Sequence, residues 1–137
     1  MIAVIQCQGR KRMDAGTLKT ASGLAVDFVA RPEIAPAKDN CVYARPDDQP
    51  EDGLTWRQLV QDYNNLPNNP LGLYPAVQLY RDAIYERLAC RLGLQNLYIL
   101  SAGWGLIRAN FLIPAYDITF SSMKRSKRHL RRRKQDN

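Results

Sequence analysis

The chain has one histidine, three cysteines and no long apolar segment among its 137 residues. The histidine, His129, lies in a basic stretch near the C-terminus. The rest of the chain therefore offers no Ser-His-Asp or Cys-His centre and none of the usual histidine-containing metal sites. The cysteines, Cys7, Cys41 and Cys90, are odd in number and lack Cys-x-x-Cys spacing, which argues against a disulfide framework and a structural zinc site. We predict reduced thiols, no metal and no other cofactor.

The apolar residues do not form a membrane or secretion signal. No run approaches the roughly eighteen apolar residues that a membrane helix needs. Residues 1–7 are mostly apolar, but they are too few for a signal peptide and cationic residues follow soon after them. We therefore predict a cytoplasmic protein with no membrane partner.

The charge is divided unevenly along the chain. Residues 1–120 contain 12 Lys and Arg and 12 Asp and Glu, whereas residues 121–137 contain eight Lys and Arg and one Asp. The second segment therefore accounts for the whole net charge of +7. Because a chain of this length forms one domain by default, we predict a neutral domain at 1–120 and a basic tail at 121–137.

Short apolar runs predict three strands, at residues 2–7, 24–30 and 97–100. Residues 31–53 contain four prolines and several acidic residues, so we predict a loop there.

Two stretches predict helices. Thr55 and Gln58 have the spacing of a capping box and precede a helical apolar pattern. A second, longer helix is predicted over 75–92, with Pro75 in its first turn and Gly93 as its C-cap. The order strand, strand, helix, helix, strand predicts an α/β fold, with a small, mainly parallel sheet flanked by helices.

Polar residues follow two of the predicted strands. Cys7 and Lys11 come after the first strand, and Ser101, Gly103 and Gly105 come after the third. Because sites in parallel α/β sheets form at the carboxyl ends of strands, we predict one pocket at that edge, with Asp117 folding back onto it.

Each of these residues has a functional and a structural interpretation. Cys7 stands close to Arg10, Lys11 and Arg12, so it is either a thiol with raised thiolate content or a small buried residue. Lys11 could pair with Asp117, bind phosphate, act as a nucleophile or be a solvated surface residue.

The Ser-Ala-Gly-Trp-Gly stretch at 101–105 leaves similar alternatives open. Gly103 and Gly105 allow a turn whose N–H groups could bind an anion, with Ser101 adding a hydroxyl. They could equally serve only the turn itself. Trp104 is predicted either to stack on a base or sugar or to pack in the core.

The tail has the composition of a polyanion-binding segment. Eight cations within seventeen residues favour binding to phosphates, and the absence of aromatic residues favours reading of charge rather than sequence. Membrane binding, a targeting role and simple solvation are the alternatives. The predicted nucleic-acid-binding residues are Lys124, Arg125, Lys127, Arg128, Arg131, Arg132, Arg133 and Lys134.

The order of these motifs resembles that of the YaaA-like family, which includes a peroxide-stress protein associated with DNA binding, and the related core domain of archaeosine synthase. The shared pattern is Cys-x-x-x-Lys, then Leu-Ser-Ala-x-x-Gly-Leu, then Pro-x-Tyr-Asp. The residues that match it are Cys7 and Lys11, then Ser101, Gly105 and Leu106, then Pro114, Tyr116 and Asp117. The resemblance implies a domain that handles a nucleotide or a base within nucleic acid.

Two functions follow as expectations. In the first, the chain is an enzyme-like domain with a role in base modification or in DNA damage and stress. Cys7, Lys11 and Asp117 are then its catalytic residues, and Ser101, Gly103, Trp104, Gly105 and Tyr116 bind a nucleotide-like ligand. In the second, the chain is a non-enzymatic protein that binds DNA or RNA through its tail. A structural role for the motif residues is the remaining alternative.

Overall fold

The computed structural model describes residues 1–51, 53–121 and 125–131, and they form a mixed α/β fold. Its eight strands are β1 (Ala3–Gln6), β2 (Ala25–Val29), β3 (Cys41–Ala44), β4 (Tyr74–Pro75), β5 (Leu97–Ser101), β6 (Gly105–Arg108), β7 (Leu112–Ile113) and β8 (Tyr116–Asp117). Its three α-helices are α1 (Trp56–Tyr63), α2 (Ala76–Leu79) and α3 (Ile84–Leu92). Short 3-10 helices occupy Pro32–Ile34, Leu94–Asn96 and Arg125–Leu130. None of the helices in these described ranges is long and apolar enough to span a membrane.

The strands form three small sheets rather than the one mainly parallel sheet that the element order predicts. The first sheet has the order β1-β5-β6, with β1 and β5 parallel and β5 and β6 antiparallel. The second has the order β3-β2-β8 and is wholly parallel. The third is the antiparallel pair of β4 and β7. The antiparallel pairing of β5 and β6 follows from the tight turn at residues 102–104, which reverses the chain at once.

The strand β3 lies inside the segment predicted to be a loop. Residues 41–44, Cys-Val-Tyr-Ala, pair with β2 over four residues. Four prolines surround this short run, so its own pattern is too brief to outweigh them. The loop prediction for residues 31–53 is therefore wrong at this point.

The predicted long helix over 75–92 is broken into α2 and α3. Tyr80 follows α2 with an extended backbone (ψ 135°) and makes an antiparallel bridge with Lys11. The Asp82 carboxylate accepts the N–H of Ile84, the first residue of α3, at 2.9 Å. Pro75 lies in β4 and caps α2 rather than occupying its first turn. The break is thus stabilised by contacts with a distant loop, which a local apolar pattern does not reveal.

Two predicted helix ends are confirmed. Thr55 caps α1, since its hydroxyl accepts the Gln58 N–H while the Gln58 side chain accepts the Thr55 N–H. Gly93 ends α3 with φ +83°, in the region that favours glycine.

One apolar core joins the two larger sheets to the helices. Phe28 from β2, Ile99 from β5 and Leu79 from α2 are fully buried, and Trp56 and Val60 pack onto them from α1. Along β2 the side chains alternate, so that Val26 and Phe28 are buried while Ala25 and Asp27 are only half-buried. The second face of β2 is therefore partly exposed at Ala25 and Asp27, while Val29 at its end is buried.

Candidate functional site

The ends of β1 and β5 meet, as predicted from their parallel pairing. The Cys7 N–H donates to the Leu100 carbonyl at 3.0 Å, and the Ala102 N–H donates to the Cys7 Sγ at 3.2 Å. Cys7 is half-buried. The thiol thus fastens the end of β1 to the turn after β5.

The Ser101 hydroxyl organises that turn. Ser101 is fully buried, and its Oγ donates to the Tyr116 hydroxyl at 2.9 Å. The same Oγ accepts the N–H groups of Gly103 at 3.2 Å and Trp104 at 3.0 Å. The N–H groups of residues 102–104 are therefore already donated within the protein. This arrangement does not support the prediction that they cradle an anion.

The remaining residues of the turn have packing roles. Trp104 is buried, and its ring meets the Phe28 ring edge-on, with centroids 4.8 Å apart. It is a core residue, so the stacking interpretation is not supported. A Cβ on Gly103 would lie 2.8 Å from the Tyr116 ring, which explains the glycine by close approach. Gly105 has φ +78° and so supplies the turn's positive-φ residue.

Two buried tyrosines, Tyr116 and Tyr80, extend the chain of hydrogen bonds that begins at Ser101. The Tyr80 and Tyr116 hydroxyls are 2.6 Å apart, and Tyr116 also receives the Ser101 hydrogen bond. Burial raises the pKa of both tyrosines, and their ionisation would place charge in an apolar setting. Both phenols are therefore neutral at physiological pH.

The Lys11 side chain lies against the ring of Tyr116. Its Nζ lies 4.2 Å from the centroid of the Tyr116 ring, which is a cation–π distance. Burial lowers the pKa of Lys11, and attraction to Cys7 and then to Asp117 partly offsets this effect. The amine is consequently less firmly protonated than that of an ordinary surface lysine.

Lys11 and Asp117 line the same cavity, which has a volume of about 380 Å³. Tyr116 lines it between them. Three side chains that sequence reasoning did not single out line it as well: Asp27, Lys38 and Cys41. By contrast, the described residues that line this cavity do not include Cys7 or any residue from Ser101 to Gly105. Ser101 and Gly103 instead contact Tyr116, which is part of the cavity wall.

The cavity lies against the face of the second sheet rather than only at strand carboxyl ends. Lys11 comes from the loop after β1 and Asp117 ends β8, as predicted, but Asp27 is in the middle of β2 and Cys41 begins β3. The register pairs Val29 with Asp117. Because residues two apart share a face of a strand, Asp27 and Asp117 project on the same side.

The Asp27 and Asp117 carboxyl groups interact with each other. Burial raises the pKa of Asp27, and the negative charge of Asp117 and a hydrogen bond shared with it raise it further. The Lys38 Nζ lies 3.5 Å from Asp27 Oδ2 and opposes this shift. A polar residue inside the apolar run Leu-Ala-Val-Asp-Phe-Val-Ala was the one sequence signal for Asp27. Lys38 and Cys41 gave no such signal because they fall in the segment interpreted as a loop.

The basic tail is anchored where the structure describes it. The Arg31 N–H donates to the His129 carbonyl at 2.9 Å, and the Thr119 N–H donates to the Leu130 carbonyl at 2.7 Å. The His129 side chain is buried. Of the predicted nucleic-acid-binding residues, Lys127, Arg128 and Arg131 are exposed. The 3-10 helix begins at Arg125, while Lys124, Arg132, Arg133 and Lys134 lie outside the described residues.

Across residues 1–51, 53–121 and 125–131, no group of three or more His, Cys, Asp or Glu side chains is arranged to hold a metal ion. Comparisons of the chain with protein-family models, with curated proteins and with solved structures gave no match.

Proposed function

We propose that the cavity between the Lys11 loop and the face of the second sheet binds a nucleotide or a nucleobase. The main support for this proposal is that the Lys11 amine and the carboxyl groups of Asp27 and Asp117 line one cavity of about 380 Å³. That volume falls within the range of small-molecule sites, which combine a few converging polar groups with an apolar wall.

The two kinds of polar group suit different parts of such a ligand. The Lys11 ammonium and the nearby Lys38 can donate to a phosphate or a ring carbonyl oxygen. Asp27 and Asp117 can accept from ring N–H groups, exocyclic amines or sugar hydroxyls. The resemblance of the Cys-x-x-x-Lys and Pro-x-Tyr-Asp motifs to the YaaA-like family supports the same ligand class, and we propose the chain as a YaaA-like protein on that ground.

The test is calorimetric titration of the full chain with a panel of nucleobases, nucleosides and nucleoside mono-, di- and triphosphates. We expect Lys11→Met and Asp117→Asn each to weaken binding of the preferred ligand about 10- to 100-fold, because hydrogen bonds to charged groups contribute about 1.5–3 kcal/mol. Lys19→Met and Asp62→Asn are matched controls, since both side chains are exposed and do not line this cavity. If Lys11→Met and Asp117→Asn bind the panel as the wild type does, the proposal fails.

A second function, binding of DNA or RNA through the basic tail, is favoured by a separate observation. Lys127, Arg128 and Arg131 are exposed on a segment that hydrogen bonds fix to Arg31 and Thr119. The backbone that carries these cations is therefore held in place, so less ordering is needed on binding.

Neutralising the three tail cations tests this function. We expect the variant with Lys127, Arg128 and Arg131 all changed to Gln to lower the salt slope of nucleic-acid binding by about 3, because each phosphate contact contributes about 0.9. The matched control changes Arg81, Arg87 and Arg91 to Gln, which removes the same charge from other exposed positions. The same salt slope in the tail variant and the wild type would exclude the tail as the binding element.

A further inference from the structure

The backbone around Lys11 is held on both sides. The Arg81 N–H donates to the Arg10 carbonyl at 3.1 Å, and the Arg12 N–H donates to the Leu79 carbonyl at 2.9 Å. Lys11 itself forms the bridge with Tyr80. The segment after α2 thus fixes the lysine in the cavity wall, and its side chain does not extend freely into solvent.

The Lys11 amine faces an aromatic ring and a cavity. Its Nζ lies over the Tyr116 ring, and the titratable groups that raise its pKa are Cys7 and Asp117. Their attraction is outweighed by burial, so the pKa of the amine is lowered. A larger fraction of the amine is then neutral near physiological pH, and the neutral amine is the nucleophilic form.

The same cavity supplies a proton donor and a proton acceptor. Asp27 and Asp117 project on the same side of the neighbouring strands β2 and β8. Burial and the nearby Asp117 raise the pKa of Asp27, so the Asp27 carboxyl group holds a proton more readily than an exposed aspartate does. The Lys38 Nζ, 3.5 Å from Asp27 Oδ2, opposes this rise in the pKa of Asp27. A lysine whose amine loses its proton more readily than usual therefore lines one cavity with two carboxyl groups.

We propose that the Lys11 amine forms an imine with the carbonyl group of a small hydroxylated aldehyde or ketone bound in this cavity. The inference rests on the cavity assigned above to ligand binding, but not on a nucleotide being the ligand. Hydroxyl groups on the compound match the carboxylate acceptors that line the wall. Nucleotide binding uses the protonated lysine, whereas imine formation uses the neutral one.

The step balances without an oxidant or a reductant. The step starts from molecules in which Asp27 is protonated and Asp117 is a carboxylate. The nitrogen lone pair forms a bond to the carbonyl carbon, and the carbonyl π electrons move to its oxygen, which takes the proton from Asp27. The nitrogen gives one proton to the carboxylate, which leaves a neutral carbinolamine. The nitrogen lone pair then expels the hydroxyl group, which receives a proton from the acid of the pair and leaves as water. The products are a protonated imine and one water molecule, and both carboxyl groups are left as carboxylates.

Reductive trapping tests the proposal on the intact chain. The full-length protein is treated at neutral pH with glycolaldehyde and sodium cyanoborohydride, and peptide mapping by mass spectrometry follows the adduct at each lysine over time. We expect the Lys11 adduct to form faster than the adducts at Lys19 and Lys38. We also expect Asp27→Asn to slow trapping at Lys11 about 10-fold without changing Lys19, since general acid–base catalysis contributes at least that much.

Asp62→Asn is the matched control, because Asp62 is an exposed aspartate outside the cavity. The comparison of trapping rates among the lysines uses only the wild-type protein, so it remains a test even if Asp27→Asn is unstable. Trapping at Lys11 no faster than at Lys19 would overturn the proposal, as would equal Lys11 rates in folded Asp27→Asn and Asp62→Asn. Trapping at Lys11 in a protein that binds no member of the nucleotide panel would instead refute the proposed ligand class and leave the imine chemistry standing.

Discussion

The substitution Gly16→Ala is expected to lower the free energy of unfolding by about 3 kcal/mol, because there is no space for a Cβ at this position. A Cβ on Gly16 would lie 2.0 Å from the Leu71 carbonyl oxygen and 2.9 Å from that of Gly72. Overpacking costs about 1–3 kcal/mol. We expect the upper end because both obstructing atoms belong to the backbone and cannot move aside by changing rotamer.

The same contact connects the loop after β1 to the cavity wall. The Gly16 N–H donates to the Gly72 carbonyl at 3.3 Å, and the Gly16 carbonyl accepts the Ala115 N–H at 3.0 Å. Ala115 precedes Tyr116 and lines the cavity. A Gly16→Ala protein that still folds should therefore also bind the cavity's ligand more weakly.

Gly9→Ala is the matched control for the stability prediction only, because Gly9 itself lines the cavity. It lies in the same loop, and a Cβ there would meet no atom within 4 Å. Urea unfolding of both variants makes the comparison, with the midpoint of Gly9→Ala close to the wild type and that of Gly16→Ala well below it. Equal midpoints for the two variants would show that the close approach of Gly16 to residues 71–72 is absent in solution.

The substitution Phe28→Ala is expected to cost about 4 kcal/mol, the typical cost of removing a buried aromatic side chain. Phe28 is fully buried on β2. Its ring centroid lies 4.8 Å from that of Trp104 and 5.9 Å from that of Trp56, edge-on in both cases. The Phe28 ring thus links β2, α1 and the turn after β5. Its removal leaves a cavity, and a tryptophan that moved to fill it would lose its own packing contacts in the core.

Phe28→Leu separates the loss of the aromatic contacts from the loss of volume. We expect this variant to cost about 1–3 kcal/mol, since most of the apolar volume is kept and the two edge-to-face pairs contribute about 0.5–1.5 kcal/mol each. The measurement is the free energy of unfolding from denaturant titration. An alanine variant no less stable than the leucine variant would contradict a core centred on Phe28.

Elements with strong local signals could be predicted from the sequence. The capping box at Thr55 gives α1 its start, and the apolar runs give β1, β2 and β5. The break between α2 and α3 could not be predicted, because it depends on the bridge between Tyr80 and Lys11, which are far apart in the sequence. The strand β3 was hidden for a similar reason, since its four residues are stabilised by pairing with β2 rather than by their own pattern.

The candidate site was predicted in part. Lys11, Tyr116 and Asp117 line one cavity, as the parallel-strand argument implied. Asp27 was missed because the packing of the sheet decides which face of β2 is exposed, and the sequence pattern does not reveal that packing. The Ser101 hydroxyl donates to Tyr116 and accepts the N–H groups of its own turn, an arrangement that spacing alone does not specify.

The most direct test of the central claim, that the Lys11 cavity is the ligand site, is an amide NMR titration of isotope-labelled protein with the tightest-binding compound of the nucleotide panel. We expect the largest shift changes at Lys11, Asp27, Cys41 and Asp117, with α3 unaffected. Saturable binding with shift changes confined to residues away from this cavity, such as those of α3 or Lys127–Arg131, would contradict it.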